Sequence, residues 1–173
     1  QKTKRSMKLY HGSLETIEHP MILQPNRRLD YGKGFYTTTS EKQAEDWVRR
    51  RMVEKKATQG YVNIYELDET VLTKLKCLIF SEPTEDWVDF VMKNRMQLDF
   101  THDYDIVYGP VADDSVYTQF TLYEGGIISM PTLIRELKTY KLVDQYLFHT
   151  EEALRAIRFV ESKTKKGHNV CKR

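Results

Sequence analysis

The order of strand-like and helix-like segments is the feature that most constrains how this chain can fold. Strands are predicted where apolar and polar residues alternate over short runs, and helices where apolar residues recur every three or four positions. The predicted strands cover residues 8–11, 34–39, 61–67, 77–80, 104–108 and 146–149, and the predicted helices cover 41–58, 85–94 and 131–140. Residues 154–161 fit either a helix or a last strand. Because strands outnumber helices and do not alternate regularly with them, the sequence predicts an α+β fold rather than a doubly wound sheet.

Capping residues mark the predicted ends of the helices. Ser40 and Thr84 precede helical patterns and are predicted N-caps, since a hydroxyl oxygen can accept a hydrogen bond from a backbone N–H in the first turn. Gln43 stands three residues after Ser40, as in a capping box. Gly60 is predicted to end the first helix, whose apolar face includes Trp47.

Length and composition predict one globular domain. The chain has 173 residues, of which 40% are hydrophobic and 30% charged, enough to bury a core. We expect a single domain over 7–161 and a basic, flexible tail over 162–173. No apolar run approaches the roughly 18 residues of a membrane span, so no membrane partner is expected. Cys77 and Cys171 are far apart in the sequence, which favours a reducing, cytoplasmic setting without disulfides.

Charge is unevenly distributed behind the formal net value of +2. Basic residues are in excess over 1–60 and 131–173, and acidic residues are in excess over 61–130. Two interpretations remain open. The three segments can neutralise one another on one fold, or the basic ends can meet the phosphates of a dinucleotide or a nucleic acid.

Two short phrases predict a site. Residues 9–13 read Leu-Tyr-His-Gly-Ser, a short strand that ends near His11. Residues 31–38 read Tyr-Gly-Lys-Gly-Phe-Tyr-Thr-Thr, a glycine-broken turn that leads into a strand with Tyr36. Together they predict a histidine and a tyrosine side by side in a cleft around a planar ligand. The turn lacks a third glycine and opens a strand, so it is not a phosphate-binding loop.

These phrases resemble the first two motifs of the ADP-ribosyltransferase superfamily, in its His-Tyr-Glu branch of diphtheria toxin and the poly(ADP-ribose) polymerases. In that branch a second aromatic residue follows the tyrosine by 11 positions, and Trp47 stands at that place here. A late strand then opens with an acidic residue, and Gln145 stands at the matching position. The resemblance covers about 9–47 and 144–159. The whole chain also resembles a bacterial branch of the superfamily known by a domain-of-unknown-function label.

The resemblance implies a split β-sheet core with peripheral helices and an NAD site between the sheets. The histidine would hydrogen-bond a ribose hydroxyl, the glycine backbone would pair with the nicotinamide carboxamide, and the two aromatic side chains would hold the nicotinamide ring. Cleavage of the glycosidic bond of NAD passes through an oxocarbenium-like state. The implied cofactor-binding residues are His11, Gly12, Ser13, Tyr36 and Trp47, and the implied catalytic residues are His11, Tyr36 and Gln145.

Gln145 is where the sequence departs from the motif. A glutamate there would stabilise positive charge on the ribose and help to deprotonate the acceptor. The amide of Gln145 keeps two hydrogen-bonding groups but carries no charge and cannot act as a general base. In the family, loss of the glutamate goes with transfer of a single ADP-ribose unit or with inactivity. Val143 stands where arginine-modifying relatives carry an acidic residue, so arginine is not the expected acceptor.

Other polar residues are candidates for lesser roles. The segment 102–105 and the pair Asp113 and Asp114 could suggest a metal, but adjacent aspartates after a Gly-Pro are more typical of a solvated turn, so no metal is expected. By the resemblance, Asp113, Asp114 and Gln119 are candidates for acceptor contact or for supplying the missing acid. His149 is expected to pack rather than to act on the same atom as Gln145.

Three functional hypotheses follow. The first is an NAD-dependent mono-ADP-ribosyltransferase acting on a protein or nucleic-acid acceptor. The second is a catalytically weak or inactive module that binds NAD or ADP-ribose. The third is a toxin-like enzyme that acts on nucleic acid, suggested by the basic ends.

Overall fold

The computed structural model describes residues 5–23 and 28–167, which form two β-sheets and a set of helices. The strands are β1 Ser6–Ser13, β2 Phe35–Thr37, β3 Gln59–Asp68, β4 Cys77–Ile79, β5 Ile106–Pro110, β6 Asp144–Phe148 and β7 Ile157–Lys166. The helices are α1 Glu41–Lys55, α2 Glu85–Met96, α3 Asp114–Glu124, α4 Met130–Leu137 and α5 Glu151–Leu154, and a 3-10 helix covers Glu69–Lys74. This architecture confirms the predicted α+β class.

The two sheets have different strand orders. The three-stranded sheet has the order β1-β3-β7 and is antiparallel throughout. The four-stranded sheet has the order β2-β6-β5-β4, in which only β4 and β5 are parallel. A single antiparallel bridge joins β1 to the end of β2: Tyr10 N–H donates to Thr38 O at 2.8 Å, and Thr38 N–H donates to Tyr10 O at 2.9 Å. The sheets therefore meet at one point and diverge beyond it.

Apolar side chains pack on both sheets and between them. Val48 of α1 packs with Val62 and Ile64 on the three-stranded sheet. A second cluster, which includes Leu9 and Phe148, connects the two sheets. The largest cluster packs α2, α3 and α4 on the four-stranded sheet, with fully buried Trp87, Val88, Val116, Leu133 and Leu137. The order of the elements therefore places α1 over one sheet and the other long helices over the second.

The predicted N-caps are confirmed, but the predicted end of α1 is wrong. The hydroxyl oxygens of Ser40 and Thr84 accept hydrogen bonds from the third residue of each helix. The helix ends at Lys55, and Lys56 adopts the left-handed conformation with φ 53°. Gly60 lies instead in β3, where an added Cβ would stand 2.4 Å from Val48 Cγ1. The glycine is required there because α1 packs closely on the sheet.

The predicted flexible tail is also wrong over its first part. Residues 162–166 continue β7, which pairs with β3 from Gln59 onward. Lys163 and Lys165 form ion pairs with Glu41 and Glu45 of α1 at 2.6 and 2.9 Å. A polar, lysine-rich run forms a strand because its lysines reach these acidic partners and its backbone completes the sheet. Residues 168–173 lie outside the described part of the chain.

Three local assignments differ from the sequence expectations. Residues 109 and 110, predicted to follow a strand, belong to β5. The 154–161 segment contains the end of α5 and the start of β7, so both interpretations were partly right. Helix α3 was missed, because only Val116 and Phe120 of its residues are buried, too few for a clear helical period. None of the helices in the described ranges has the length and apolar character to span a membrane.

Candidate functional site

A cleft of about 1320 Å³ opens where the two sheets diverge beyond the Tyr10–Thr38 bridge. Residues of β1, β2, α1 and β6 line it. Its lining includes five predicted site residues, His11, Gly12, Tyr36, Trp47 and Gln145. Ser13, the sixth, is not among the lining residues, and its Oγ accepts a hydrogen bond from Glu15 N–H at 3.2 Å. Tertiary folding therefore brings together residues that lie as much as 134 positions apart in the sequence.

His11 is a neutral hydrogen-bond acceptor toward the cleft. Its ring stacks on Phe35 with centroids 4.3 Å apart, and its Nδ1 lies 2.6 Å from Tyr36 O. A carbonyl oxygen only accepts, so Nδ1 carries the proton and Nε2 of the neutral ring has a free lone pair. Burial lowers the pKa of His11 below its ordinary value, and the bond to the Tyr36 carbonyl opposes this effect. The neutral ring can therefore accept a hydrogen bond from a ligand hydroxyl near neutral pH.

Gly12 offers one backbone donor and one backbone acceptor to the cleft. Tyr10 directs both its N–H and its C=O to Thr38, away from β3. The backbone groups of an antiparallel strand alternate in direction, so the N–H and C=O of Gly12, two residues after Tyr10, also point away from β3, beyond the bridge. Apart from the pairing of β1 with β3, no described residue forms a hydrogen bond to the N–H or the C=O of Gly12. An N–H and a C=O side by side match the two hydrogen-bonding groups of a primary carboxamide.

The absence of a side chain at Gly12 has a packing cause. A Cβ there would stand 2.6 Å from both Ala44 O and Val48 Cγ2 of α1. Contacts this short with backbone cannot be relieved by moving a side chain. The glycine therefore allows α1 to approach β1, and so brings Trp47 to the cleft wall; the resemblance had implied a role in ligand approach only.

Tyr36 of β2 and Trp47 of α1 both supply aromatic surface to the cleft. The Tyr36 hydroxyl donates to Gly32 O at 2.5 Å and accepts from Tyr31 N–H at 3.1 Å. Burial raises the pKa of Tyr36 well above its ordinary value, so the phenol stays neutral. Its hydroxyl thus holds the Tyr-Gly-Lys-Gly turn while its ring faces the cleft. Trp47 is 39% exposed on α1, with Arg50 Cζ 5.7 Å from its ring centroid.

Gln145 lines the cleft and is 8% exposed. Its Nε2 donates to Asp30 Oδ2 at 3.0 Å and to Pro110 O at 3.3 Å. The side chain therefore takes part in a buried polar network while it lines the cleft. It offers hydrogen bonding to a ligand but no negative charge.

Asp30 is a buried cleft residue that the sequence analysis missed. It is 6% exposed, lines the cleft and stands just before the Tyr-Gly-Lys-Gly turn. It also accepts hydrogen bonds from Ala112 N–H at 2.9 Å and the Tyr117 hydroxyl at 2.8 Å, and Arg95 Nη1 lies 3.5 Å from its Oδ1. A single aspartate in a loop carries no periodic signal, so only its position beside the turn could have drawn attention to it.

Helix α1 carries a stripe of side chains along the cleft. Trp47, Arg51 and Lys55 are spaced four residues apart, which places them on one face of the helix, and all three line the cleft. At about 1.5 Å rise per residue, Lys55 stands about 12 Å along the axis from Trp47. The cleft therefore has an aromatic end beside Gly12 and a cationic end along α1.

The remaining candidates lie outside the cleft lining. Asp113 is the N-cap of α3, where its side chain accepts from Val116 N–H at 3.0 Å. Asp114 is in the first turn of α3, and Gln119 is in the same helix. His149 contacts the backbone carbonyls of Lys33 and His102, which fits the expected packing role. Within the described ranges, no three His, Cys, Asp or Glu side chains are grouped as metal ligands.

Fold and site together define an α+β protein with a cleft between two sheets. Residues 7–159 match the sequence model of a family described as a protein of unknown function, DUF3990. This chain belongs to that family, since the match covers most of its length. No curated protein matches the chain.

Proposed function

We propose that this protein is an NAD-dependent mono-ADP-ribosyltransferase with an ADP-ribosyltransferase-like core. It would transfer ADP-ribose from NAD to an acceptor macromolecule and release nicotinamide. The site residues would be His11, Gly12, Tyr36, Trp47 and Gln145. The proposal joins the sequence resemblance to the geometry of the cleft.

The backbone of Gly12 carries the proposal. Its N–H and C=O face the cleft beyond the Tyr10–Thr38 bridge. The carboxamide of nicotinamide has one acceptor oxygen and a donor amide, so it can satisfy both groups at once. Aromatic side chains at Tyr36 and Trp47 line the same cleft and offer surface for a planar ring.

Two other features support a dinucleotide rather than a free nicotinamide. His11 Nε2 can accept from a ribose hydroxyl, since Nδ1–H is engaged by the Tyr36 carbonyl. Arg51 and Lys55 extend the cleft along α1, where they can meet the pyrophosphate. The size of the cleft, about 1320 Å³, leaves room for both halves of NAD.

The neutral Gln145 favours transfer of a single unit. Elongation of a polymer requires deprotonation of a ribose hydroxyl on the acceptor, and an amide cannot act as the base. Asp113 and Asp114 lie outside the cleft lining, so they do not replace it. Because the amide cannot act as a general base, a reactive acceptor, or the orientation of the acceptor within the site, would have to make transfer possible.

The proposal is tested by nicotinamide release and by transfer of label from NAD. Wild-type protein, His11→Ala and a control His19→Ala are incubated with labelled NAD and with separate protein and RNA fractions. His19 also lines the cleft but is exposed. Wild type and His19→Ala are expected to label one fraction, and His11→Ala is expected to lose the label. Equal labelling by all three, or no label and no nicotinamide from any of them, would contradict the proposal.

A module that binds NAD or ADP-ribose without turnover is the second candidate. The observation that favours it is that position 145 holds an amide, which donates to Asp30, and not a free carboxylate. Calorimetry with NAD, followed by assay of the same samples for nicotinamide, separates the two candidates. Binding with no nicotinamide released over many hours selects the module.

A further inference from the structure

Asp30 and Gln145 form a buried pair in the lining of the cleft. We propose that Asp30 is a positioning residue, which holds the Gln145 amide so that its Oε1 faces the cleft as a hydrogen-bond acceptor. This inference rests on the proposed function, in which the hydroxyl that Oε1 accepts from belongs to the NAD ribose. It assigns a role to a residue from the loop before β2, outside the motif phrases.

The contacts of Gln145 allow only one orientation of its amide. Nε2 lies 3.0 Å from Asp30 Oδ2 and 3.3 Å from Pro110 O. A carboxylate and a carbonyl oxygen only accept, so the atom that faces them must be the NH₂ group. Rotation of the amide by 180° would place Oε1 against two acceptors and lose both bonds.

The remaining atom, Oε1, faces the cleft. No buried side-chain oxygen or nitrogen in the described residues lacks a hydrogen-bond partner, and no described partner bonds Oε1. It is therefore accessible, and the accessible part of Gln145 lines the cleft. A ligand hydroxyl can donate to it, whereas a ligand acceptor group would be repelled.

Asp30 is itself held from three directions. Ala112 N–H follows β5, the Tyr117 hydroxyl comes from α3, and Arg95 comes from α2. With Gln145, these give the carboxylate three hydrogen-bond donors and one ion pair. Both oxygens of Asp30 are therefore engaged by protein groups. Asp30 acts on the ligand through Gln145 and not as a general base.

The test compares nicotinamide release by wild type, Asp30→Ala, Asp30→Asn and the control Val88→Ala. Val88 is fully buried in the core cluster on the four-stranded sheet and its side chain is apolar, so its variant measures the effect of lost stability alone. We expect Asp30→Ala to lower kcat about tenfold or more with KM for NAD changed less than about twofold, because misorientation acts mainly on the transition state.

The conservative variant Asp30→Asn distinguishes the effect of the hydrogen bond to Gln145 from the effect of side-chain volume at position 30. Asp30→Asn retains one oxygen, which can accept from both Ala112 N–H and the Gln145 amide. It is expected to recover most of the kcat lost in Asp30→Ala, while Val88→Ala keeps the wild-type kcat. Wild-type kcat in both Asp30 variants, or no recovery in Asp30→Asn, would overturn the positioning role.

A measurement without NAD keeps this inference separate from the proposed function. Solvent exchange of the Gln145 Nε2 protons is followed by NMR in the free protein. In wild type these protons are expected to exchange about tenfold or more slowly than those of an exposed glutamine, and in Asp30→Asn to stay slow. Fast exchange in wild type would overturn the inference even if NAD is cleaved. Slow exchange without any NAD cleavage would support it while the proposed function fails.

Discussion

At the scale of single residues, position 145 shows how a neighbour sets the chemistry of a side chain. The amide of Gln145 is compatible with the carboxylate of Asp30 because it donates to it. A glutamate at the same place would set two carboxylates together in a buried site. The side chains at positions 145 and 30 therefore depend on each other, because the acid at position 30 needs a donor at position 145.

Gln145→Glu is accordingly expected to destabilise the fold instead of restoring a catalytic charge. Loss of the donor and burial of a second charge should lower the free energy of unfolding by about 2 kcal/mol or more at pH 7. The introduced carboxyl is expected to stay protonated to higher pH than a free glutamate, so the loss should shrink as the pH falls. Urea unfolding at pH 5 and pH 7.5 checks this. Gln119→Glu, the same change on α3, should show little effect; equal losses in both variants would contradict the argument.

The protonation of His11 gives the cleft a pH dependence. Burial lowers its pKa below 6.5, so its Nε2 accepts at neutral pH and becomes a donor once protonated. NAD affinity is expected to be constant near pH 7–8 and to fall as the pH drops through the lowered pKa. Calorimetry across that range checks it, with His19→Ala as the control for the other cleft histidine. A fall in affinity centred at or above pH 6.5, or an affinity that rises as the pH drops, would contradict the assignment of Nε2.

The same shift affects stability. Below 6.5 the unfolded chain takes up the proton before the folded one does, so the free energy of unfolding falls as the pH is lowered through that window. Burial also lowers the pKa of His102, which adds to the effect. Loss of part of this pH dependence in His11→Ala would identify its share.

At the scale of elements, α1 both packs on a sheet and lines the cleft. Its buried face, Ala44, Val48 and Met52, packs on the three-stranded sheet, and its neighbouring face carries Trp47, Arg51 and Lys55 along the cleft. The glycines Gly12 and Gly60 let it approach, since a Cβ on either would strike Val48. One helix thus fixes the width of the cleft and supplies its cationic end.

The double variant Arg51→Ala/Lys55→Ala tests that end. It is expected to weaken NAD binding about three- to tenfold and to leave nicotinamide binding unchanged, because exposed charges each contribute up to about 1 kcal/mol. Arg49→Ala, on the same helix but outside the cleft lining, is the control. Calorimetry at 50 and 300 mM salt should show the difference shrinking with salt. Equal losses for NAD and nicotinamide would contradict a phosphate role.

At the scale of the whole molecule, the basic C-terminal segment is part of the fold. Residues 162–166 complete β7, and Gly167 N–H donates to Thr58 O at 2.9 Å. Lys163 and Lys165 connect this strand to α1. Two lysines at this end of the chain are therefore paired with acidic residues of α1, which lies in the other basic segment, so these contacts do not decide between the two interpretations of the charge pattern.

Shortening the chain tests this boundary. A chain that ends at Glu161 is expected to lose several kcal/mol of stability or fail to fold, since it lacks half of the β3 pairing. The full chain, which contains residues 162–166, is the reference for the thermal midpoint. Circular dichroism melting of the two forms measures the difference. Equal midpoints would contradict a structural role for residues 162–166.

The sequence by itself determined the features that depend on near neighbours. Alternation predicted β3, and hydroxyl caps predicted the start of α1 and α2. Each of these signals arises within about a dozen positions, where strand and helix periods are set by local backbone geometry.

Only the tertiary structure decided how distant residues act on one another. Asp30 and Gln145 are separated by 115 positions, and no local period connects them. The lysines of β7 read as a solvated tail until α1 supplies their acidic partners. Gly12 served a ligand in the sequence interpretation, yet the close approach of α1 requires it as well. In each case a contact between distant elements decides the role of the residue. The partner in that contact is known only from the folded structure.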